Sequence, residues 1–417
     1  MRIIIVGAGI GGLAAALSLE AAGFRDIDIY ERAPEVLGLG VGINLLPHAM
    51  RELTELGLAD RVEQLGVAPT TLSYHNRHGQ RIWQEPRGRA AGYRWPQMSV
   101  HRGRLQLMLL EAVRERLGEV VHVDHRLVDV RHGTTGGGDR AEFETSRGSV
   151  HETADVIIGA DGIHSAVRAL HNPSDGPPVW SGLTVWRGTA VIPEFLDGRT
   201  MIMAGDGEQK FVAYPLGHAG HDGRTVVNFI AERRVGGSPD ADWNRSVDPA
   251  PIVDMFQDWR FDWLDVPGTI AAADEILEYP MVDRNALSRW TYGRTVLLGD
   301  AAHAMYPNGS NGGSQAIIDA RTLAFELASS PSADAALAAF DAARRPAMTA
   351  LLELTRQTGP ERVMQLAYER APAGFADVDD IIPRAELQAI ADEYKRAAGF
   401  SPDVLNARSS LTVAAGS

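Results

Sequence analysis

Three glycines near the N-terminus have the spacing of a phosphate-binding turn. Gly7, Gly9 and Gly12 follow the apolar run 3–6 and precede a helix-forming segment. Glycine at these positions permits a tight turn and lets backbone amides approach a pyrophosphate, and the following helix offers unpaired N–H groups to the phosphates. Glu31 ends the next predicted strand, where a carboxylate can accept hydrogen bonds from a ribose. The pattern indicates a dinucleotide site and leaves open whether the ligand is FAD or NAD.

Two aspartates further along the chain each come shortly after a predicted apolar strand. Asp161 follows the run 156–158, and Asp300 follows the run 296–298. A carboxylate in this position can accept hydrogen bonds from the hydroxyls of a cofactor, and it can also cap the helix that follows. The residues alone leave both interpretations open. His303 has no paired acid or nucleophile beside it in the sequence, so the pattern favours a structural histidine over a general base.

These side chains need a parallel sheet and its helices to position them. The β-branched run 3–6 predicts a strand that is buried on both faces. The segment 13–22 predicts a helix, and the run 27–30 predicts a second strand. The runs 156–158 and 296–298 predict further strands of the same sheet. The N-terminus is therefore expected to be a βαβ unit.

The rest of the chain is of two kinds. Residues 175–285 are richer in Trp, Pro and Gly, and alternating stretches at 210–214 and 225–229 predict a separate antiparallel unit. After Ser314 the sequence is rich in Ala and Leu and predicts helices, one of which Pro346 is expected to kink or end. The last 50 residues are expected to hold a helical cap and a loose tail.

Composition narrows the classes of protein. The net charge of −14 is spread over 417 residues without a charged block, which disfavours nucleic acid and anionic membranes as partners. The chain has no cysteine, so disulfides, thiolate metal sites and redox dithiols are excluded, and no other cluster predicts a metal. The apolar start is too short for a signal peptide or membrane span, so a cytoplasmic protein is expected. The glycine-rich segment 133–139 predicts a surface loop.

Three separated motifs resemble the aromatic-hydroxylase group of flavoprotein monooxygenases, which have the p-hydroxybenzoate hydroxylase fold. They are the segment 7–12, the segment from Gly159 to Arg168 with its Asp-Gly pair, and Gly299-Asp300-Ala301-Ala302-His303 with the glycine-rich 309–313. The segments 185–188, 213–215 and 279–284 make the chain similar to a branch that contains 5-methylphenazine-1-carboxylate 1-monooxygenase and salicylate hydroxylase-like enzymes.

The resemblance implies an α/β fold with three parts. An FAD-binding, Rossmann-like domain of the glutathione-reductase type is expected from residues 1–70, 100–175 and 286–330. A mainly antiparallel β-sheet substrate domain is expected from residues 71–99 and 176–285. C-terminal helices and a tail are expected at 331–417.

The resemblance also implies which residues contact the cofactor and shape the reaction site. Pro307 and Gly309 are expected to form the backbone pocket for flavin and oxygen and are the candidate catalytic residues. The expected FAD contacts are Gly7, Gly9, Ile10, Gly11, Gly12, Glu31, Arg32, Val41, Gly42, Arg102, Leu127, Asp161, Asp300, Pro307, Asn311, Gly312 and Gly313.

The wall of the substrate site is expected to come from the middle of the chain. Aromatic and methionine side chains at strand spacing can line such a wall, although they more often simply pack in a core. Arg187 is a candidate to pair with a substrate carboxylate, with a structural ion pair as the alternative. The candidates are Trp186, Arg187, Met203, Tyr214 and Met281.

The activity that the resemblance implies is hydroxylation of a phenolic or fused-ring aromatic molecule, with or without a carboxylate. It would use non-covalent FAD, NADH or NADPH as a transient co-substrate, and O2, through a flavin C4a-hydroperoxide, in a monomer or homodimer. An epoxidase or reductase of the same fold is one alternative, and a non-catalytic FAD-binding regulatory protein is another. The missing cysteines exclude a disulfide reductase, and Arg94-Trp95-Pro96 lacks the full halogenase signature.

Overall fold

The computed structural model describes residues 1–133, 138–220, 222–236, 245–357 and 359–413. Its strands, in chain order, are β1 (Arg2–Val6), β2 (Asp26–Tyr30), β3 (Gly42–Leu45), β4 (Gly66–Val67), β5 (Thr71–His75), β6 (Arg81–Pro86), β7 (Met98–His101), β8 (Val121–His122), β9 (Arg126–Arg131), β10 (Asp139–Thr145), β11 (Gly148–Ala154), β12 (Val156–Gly159), β13 (Val179–Pro193), β14 (Thr200–Gly205), β15 (Gln209–His218), β16 (Arg224–Arg234), β17 (Arg245–Ser246), β18 (Arg260–Phe261), β19 (Leu264–Asp265), β20 (Ala273–Asp283), β21 (Thr291–Tyr292) and β22 (Thr295–Leu297). Its helices are α1 (Ile10–Ala21), α2 (Pro47–Glu55), α3 (Ala59–Glu63), α4 (Arg102–Leu117), α5 (Ala166–His171), α6 (Ala250–Met255), α7 (Val266–Ala271), α8 (Asp300–His303), α9 (Gly312–Ser329), α10 (Ala333–Arg356), α11 (Arg362–Arg370), α12 (Arg384–Ala397) and α13 (Pro402–Ala407).

A six-stranded sheet holds the N-terminal turn. Its order is β21-β22-β12-β1-β2-β8, and only β21 runs antiparallel to its neighbour. Ile3, Ile4 and Ile5 in β1 are fully buried, because helices cover both faces of such a sheet. The predicted βαβ unit and the two later strands are therefore confirmed, although α1 begins at Ile10, inside the glycine turn.

A second, eight-stranded sheet comes mainly from the middle of the chain. Its order is β17-β20-β13-β16-β15-β14-β5-β6, and its pairs are antiparallel except for β14 with β5. The predicted antiparallel unit is thus confirmed, and β5 and β6 from the earlier part of the chain extend it. One face of this sheet is covered by an apolar cluster that includes Phe211, Phe229, Phe256 and Ile270.

From α9 onward the described chain forms helices, as predicted. Helix α9 packs on α1, and α10 runs continuously through Pro346. Of the two expected effects of this proline, it therefore does not end the helix, and a kink stays a prediction: buried residues on both sides of it, among them Phe340 and Met348, hold the helix against the core.

The last part of the described chain is packed, with less tail than the sequence suggests. Tyr394, Phe400 and Leu405 are all buried in the largest apolar core. Residues 414–417, and residues 134–137 of the predicted glycine-rich loop, lie outside the described residues. Within the described ranges, no helix is both long and apolar enough to cross a membrane.

Candidate active site

The glycine turn between β1 and α1 has the close contacts that require glycine. Gly7 has a φ of +106°, a conformation that strains other residues. A Cβ added at Gly12 would lie 2.0 Å from the Gly7 carbonyl oxygen. Gly9 is the N-cap residue of α1, and no side chain caps that helix end. The first-turn amides of α1 are therefore available to an anionic ligand.

Glu31 is bound to this turn. Its Oε2 accepts a hydrogen bond from the Ala8 N–H at 2.8 Å, and its Oε1 accepts one from the Ala33 N–H at 2.9 Å. The carboxylate therefore fixes the turn to the end of β2. Each carboxylate oxygen can accept a further bond, so the structure is compatible with the expected ribose contact.

Asp161 accepts hydrogen bonds from the first turn of α5, in line with the helix-cap interpretation, although Ser165 is the N-cap residue of this helix. Its Oδ2 accepts hydrogen bonds from the N–H groups of Ala166 at 2.7 Å and Val167 at 3.2 Å. Its Oδ1 is buried and has no hydrogen-bond partner, and burial raises the pKa of the carboxyl. A Cβ added at Gly7 would lie 2.5 Å from the Ala160 oxygen. The Asp-Gly motif therefore lies against the glycine turn, with one oxygen unpaired.

Asp300 does not act as a helix cap. It is the first residue of α8, whose N-cap is Gly299, and no side chain caps that helix. Its side chain is exposed to the main cavity, and a Cβ added at Gly312 would lie 3.8 Å from its Oδ1. Gly312 begins α9, which also lacks a side-chain cap. The Asp300 carboxylate, a hydrogen-bond acceptor, thus lies beside the uncapped N–H donors at the start of α9.

His303 has a structural environment. Its Nε2 lies 2.6 Å from Asp319 Oδ2, and both side chains are buried. The same carboxylate binds Arg344 at 2.6 Å. This network supports the preference for a structural histidine.

The main cavity lies between the loops of the first sheet and one face of the second sheet, with a volume of about 330 Å³. Alternation along the strands places β15 side chains Lys210, Val212 and Tyr214 on this face. The predicted residues that line the cavity are Gly42, Arg102, Arg187, Met203, Tyr214, Met281, Asp300, Pro307, Asn311, Gly312 and Gly313.

Trp186 corrects one prediction. Val185 and Arg187 face the cavity, so Trp186, between them on β13, points to the opposite face. There it belongs to the apolar cluster of that face, and its Nε1 donates to Glu278 Oε2 at 2.8 Å. The expectation that it lines the substrate site is therefore wrong.

Gly309 is also displaced from the cavity lining. A Cβ added there would lie 1.9 Å from the Tyr394 hydroxyl oxygen. The loop thus rests on α12 at this residue, which corrects its assignment to the pocket, whereas Pro307 does line the cavity.

The remaining predicted FAD contacts lie beside the site rather than in the cavity wall. The Val41 carbonyl accepts the Arg102 N–H at 2.8 Å, which joins the loop before β3 to the start of α4. Leu127 is buried on β9 in the apolar core, so only its backbone could reach a ligand. Burial lowers the pKa of the His164 imidazole, and the charge of nearby Arg32 lowers it further.

Arg187 is a cavity-lining cation with an unpaired nitrogen atom. Its guanidinium lies 5.8 Å from the centre of the Tyr279 ring, and its Nε is buried without a hydrogen-bond partner. Burial raises the pKa of Tyr214, although the charge of Arg187 opposes that shift. Apolar residues, Val212 and Ile230 among them, also line the wall near these groups.

Sequence reasoning missed several polar residues of this cavity. Lys210 and Glu232 stand opposite each other on β15 and β16, and the alternation of Lys210 with Val212 and Tyr214 was an available signal. Glu361 gave none, because it reaches the cavity from a distant part of the chain. The missed polar lining residues include Asn44, Lys210, Glu232, Tyr279, Asn308, Ser310 and Glu361.

The fold and site define a dinucleotide-binding flavoprotein with an attached cavity for a small molecule. The glycine turn, the two uncapped helix N-termini and the unpaired acceptors of Asp161 and Asp300 fit FAD, which offers phosphates, sugar hydroxyls and a ring. The family model described as "FAD binding domain" matches residues 1–355. The chain belongs to this family.

The chain is similar over nearly its whole length to a known hydroxylase. It is 42% identical over 401 residues, 94% of this chain and 96% of the relative, to phenazine 1,6-dicarboxylic acid hydroxylase PhzS of Lysobacter antibioticus. It is 33% identical over 353 residues, 82% of this chain and 84% of the relative, to 3-hydroxybenzoate 6-hydroxylase 1 of Aquipseudomonas alcaligenes. The crystal structure of Klebsiella pneumoniae HpxO complexed with FAD and uric acid superposes with a TM-score of 0.71 at 23% identity and covers 97% of this chain and 95% of that one.

These comparisons confirm the predicted class and fold. FAD is the cofactor of this protein, NAD(P)H is the co-substrate typical of such enzymes, and the reaction is FAD-dependent monooxygenation of an aromatic compound.

Proposed function

We propose that this enzyme uses NAD(P)H and O2 to hydroxylate a fused-ring or phenolic aromatic acid, and that Arg187 binds the substrate carboxylate. The observation that carries the proposal is the buried, unpartnered Nε of Arg187 in the cavity that Asp300 and Gly312 also line. Arg187 is half-buried, and a cationic side chain with a buried, unpartnered nitrogen gains from a nearby anion; a guanidinium matches a carboxylate through two parallel hydrogen bonds. The dicarboxylic acid in the name of the relative PhzS has the same chemistry.

The cavity wall supports an aromatic ring between Arg187 and the flavin loops. Met203, Met281 and Tyr214 offer a polarisable and aromatic surface. Their packing would exclude water from the reacting carbon. A planar acid held at Arg187 would thus have its ring directed toward the loop of Pro307 and Gly312.

The proposed FAD contacts use both ends of the site. The α1 turn at Gly7, Gly9 and Gly12 would hold the pyrophosphate, and Asp300 would accept hydrogen bonds from the ribityl chain. The start of α9 would direct its amides at the flavin ring. When bound, FAD would supply the redox and oxygen-transfer chemistry. We also propose that the enzyme is a monomer or homodimer and is cytoplasmic.

The test compares matched substrates on FAD-loaded protein. A phenazine carboxylic acid and a hydroxybenzoate are each offered beside their methyl esters, and NAD(P)H consumption and product mass are followed. We expect an acid to stimulate NAD(P)H oxidation and to gain one oxygen atom, whereas its ester does neither efficiently. Equal turnover of acid and ester would contradict the role of Arg187, and no hydroxylated product from any aromatic acid would contradict the substrate class.

A further inference from the structure

A buried group of three charged side chains closes the main cavity on one side. We call Lys210, Glu232 and Glu361 the Lys210 cluster. Lys210 Nζ lies 2.8 Å from Glu232 Oε2, and it also contacts Glu361 Oε2. The three side chains are only 7%, 4% and 8% exposed.

The Lys210 cluster stands between two cavities. The main cavity has a volume of about 330 Å³, and an outer cavity of about 520 Å³ lies on the other side. All three cluster residues line both spaces, together with Met281 and Asn308. Glu208 and Arg234, which line only the outer cavity, have side chains that are 64% and 45% exposed. The outer cavity therefore reaches solvent, and the cluster separates it from the main cavity while lining both.

The charges of the cluster do not balance when all three groups are ionised. Two carboxylates and one ammonium give a net charge of −1, which is costly to bury. Burial raises the pKa of Glu361; the charge of Lys210 opposes this shift, and the charge of Glu232 adds to it. Glu361 therefore holds a proton to higher pH than an ordinary glutamate and can exchange it.

Two charged side chains beside the cluster are bound to other groups, so the proton exchange is assigned to the carboxylates of the cluster itself. Arg356, in the outer cavity, is paired with Asp283 at 2.6 Å. Asp206 accepts the Glu208 and Gln209 N–H groups. The other ionisable groups that face the cluster are Tyr74 and Tyr394 in the core, Glu208 and Arg234 in the outer cavity, and Arg102, Arg187, Tyr214, Tyr279 and Asp300 in the main cavity.

We propose that the Lys210 cluster is a proton-exchange site, in which the Glu361 carboxylate takes the proton of a phenolic substrate's ring hydroxyl and returns it to water in the outer cavity. The substrate O–H bond breaks, its oxygen keeps the electron pair, and a carboxylic O–H bond forms. The proton then passes to water, which restores the carboxylate. No electrons are exchanged in this step, and the phenolate that remains is a more electron-rich ring for hydroxylation.

This inference rests on the proposed function, because the proton comes from an aromatic substrate. Its first test is a binding measurement without turnover. FAD-loaded protein is mixed with a hydroxyphenazine carboxylic acid, which carries the carboxylate proposed to bind Arg187 and whose phenol and phenolate absorb differently, in weakly buffered solution with a pH-indicator dye. We expect the ratio of phenolate to phenol to be at least about tenfold higher for bound than for free probe at the same pH, and a proton to appear in solution.

Glu361→Gln should bind the probe mainly as the phenol and release no proton. Its turnover should fall at least about tenfold with hydroxybenzoates of ordinary acidity and little with nitro-substituted analogues that are already phenolates. Glu361→Asp should restore part of the lost turnover, and Glu208→Gln, at the exposed rim, is the matched control that should change neither measurement.

Unchanged phenolate binding in Glu361→Gln, or an equal loss of turnover with ordinary and acidic substrates, would overturn the proton-exchange role. If Glu361→Gln does not retain FAD, the test is made on the unmodified protein. Binding of the probe to that protein without proton release would also overturn the proton-exchange role. Phenolate binding without any hydroxylated product would contradict the proposed function while supporting the cluster.

Discussion

The two faces of the eight-stranded sheet are made from the same strands and differ in chemistry. One face carries Trp186, Phe211 and Phe229 in an apolar cluster. The other carries Arg187, Lys210 and further polar groups that line the main cavity. Neighbouring residues thus have opposite tasks, because successive side chains of a strand point to opposite faces. Stability is expected to depend on the first face and ligand recognition on the second.

The largest effect is expected from Trp186→Ala. This change removes a side chain that is 4% exposed and its hydrogen bond to Glu278, which should lower the free energy of unfolding by about 3–5 kcal/mol. Chemical denaturation of the FAD-loaded protein measures it. The KM for the aromatic acid should stay unchanged in the folded fraction. A variant of normal stability with a raised KM would show that this face belongs to the substrate site after all.

Asp300→Ala is expected to have the next largest effect, on the wall opposite the sheet. Asp300 is exposed to the cavity and caps no helix, so the described part of the protein loses no side-chain hydrogen bond. The loss of a hydrogen bond to a charged group costs about 1.5–3 kcal/mol, and FAD affinity should fall about ten- to a hundredfold. Flavin release followed by fluorescence measures this. Unchanged affinity would contradict the ribityl contact, and Asp334→Ala, at the exposed first turn of α10, is the control.

Arg187→Gln tests the cavity face one residue from Trp186. The variant should raise the KM for an aromatic acid by up to about a hundredfold, since about 1.5–3 kcal/mol of charge-assisted bonding is lost. The melting temperature should hardly change, because Arg187 forms no ion pair within the described ranges of the chain. Arg224→Gln on the exposed end of β16 is the matched control. A large loss of stability with an unchanged KM would return Arg187 to a structural role.

Much of this architecture was predictable, because local patterns specify it. The isoleucines of β1, the glycines after it and the two aspartates after later strands each carry a signal in neighbouring residues. The face of Trp186 was not predictable, since both faces of β13 are buried and the alternation of Val185, Trp186 and Arg187 does not say which face meets the cavity. Glu361 was missed because only tertiary packing brings it to Lys210.

Tyr394 was missed for a related reason, and its substitution is expected to have the smallest effect. The residue lies beyond the part of the chain that the family model matches. Its hydroxyl accepts a hydrogen bond from Asn311 Nδ2 and donates one to the Asn308 carbonyl at 3.0 Å. Helix α12 therefore holds the loop between Pro307 and α9.

Tyr394→Phe should weaken this loop without opening the core, because the ring remains. Two neutral hydrogen bonds are worth about 0.5–1.5 kcal/mol each, and part of that should appear as an FAD affinity lower by up to about tenfold. Tyr93→Phe is a matched control, since the Tyr93 hydroxyl is buried without a partner and its removal should leave flavin binding unchanged. Flavin titration of both variants measures the difference. If the two variants bind FAD alike, α12 serves the core alone; if only Tyr394→Phe loses affinity, the C-terminal helix belongs functionally to the cavity.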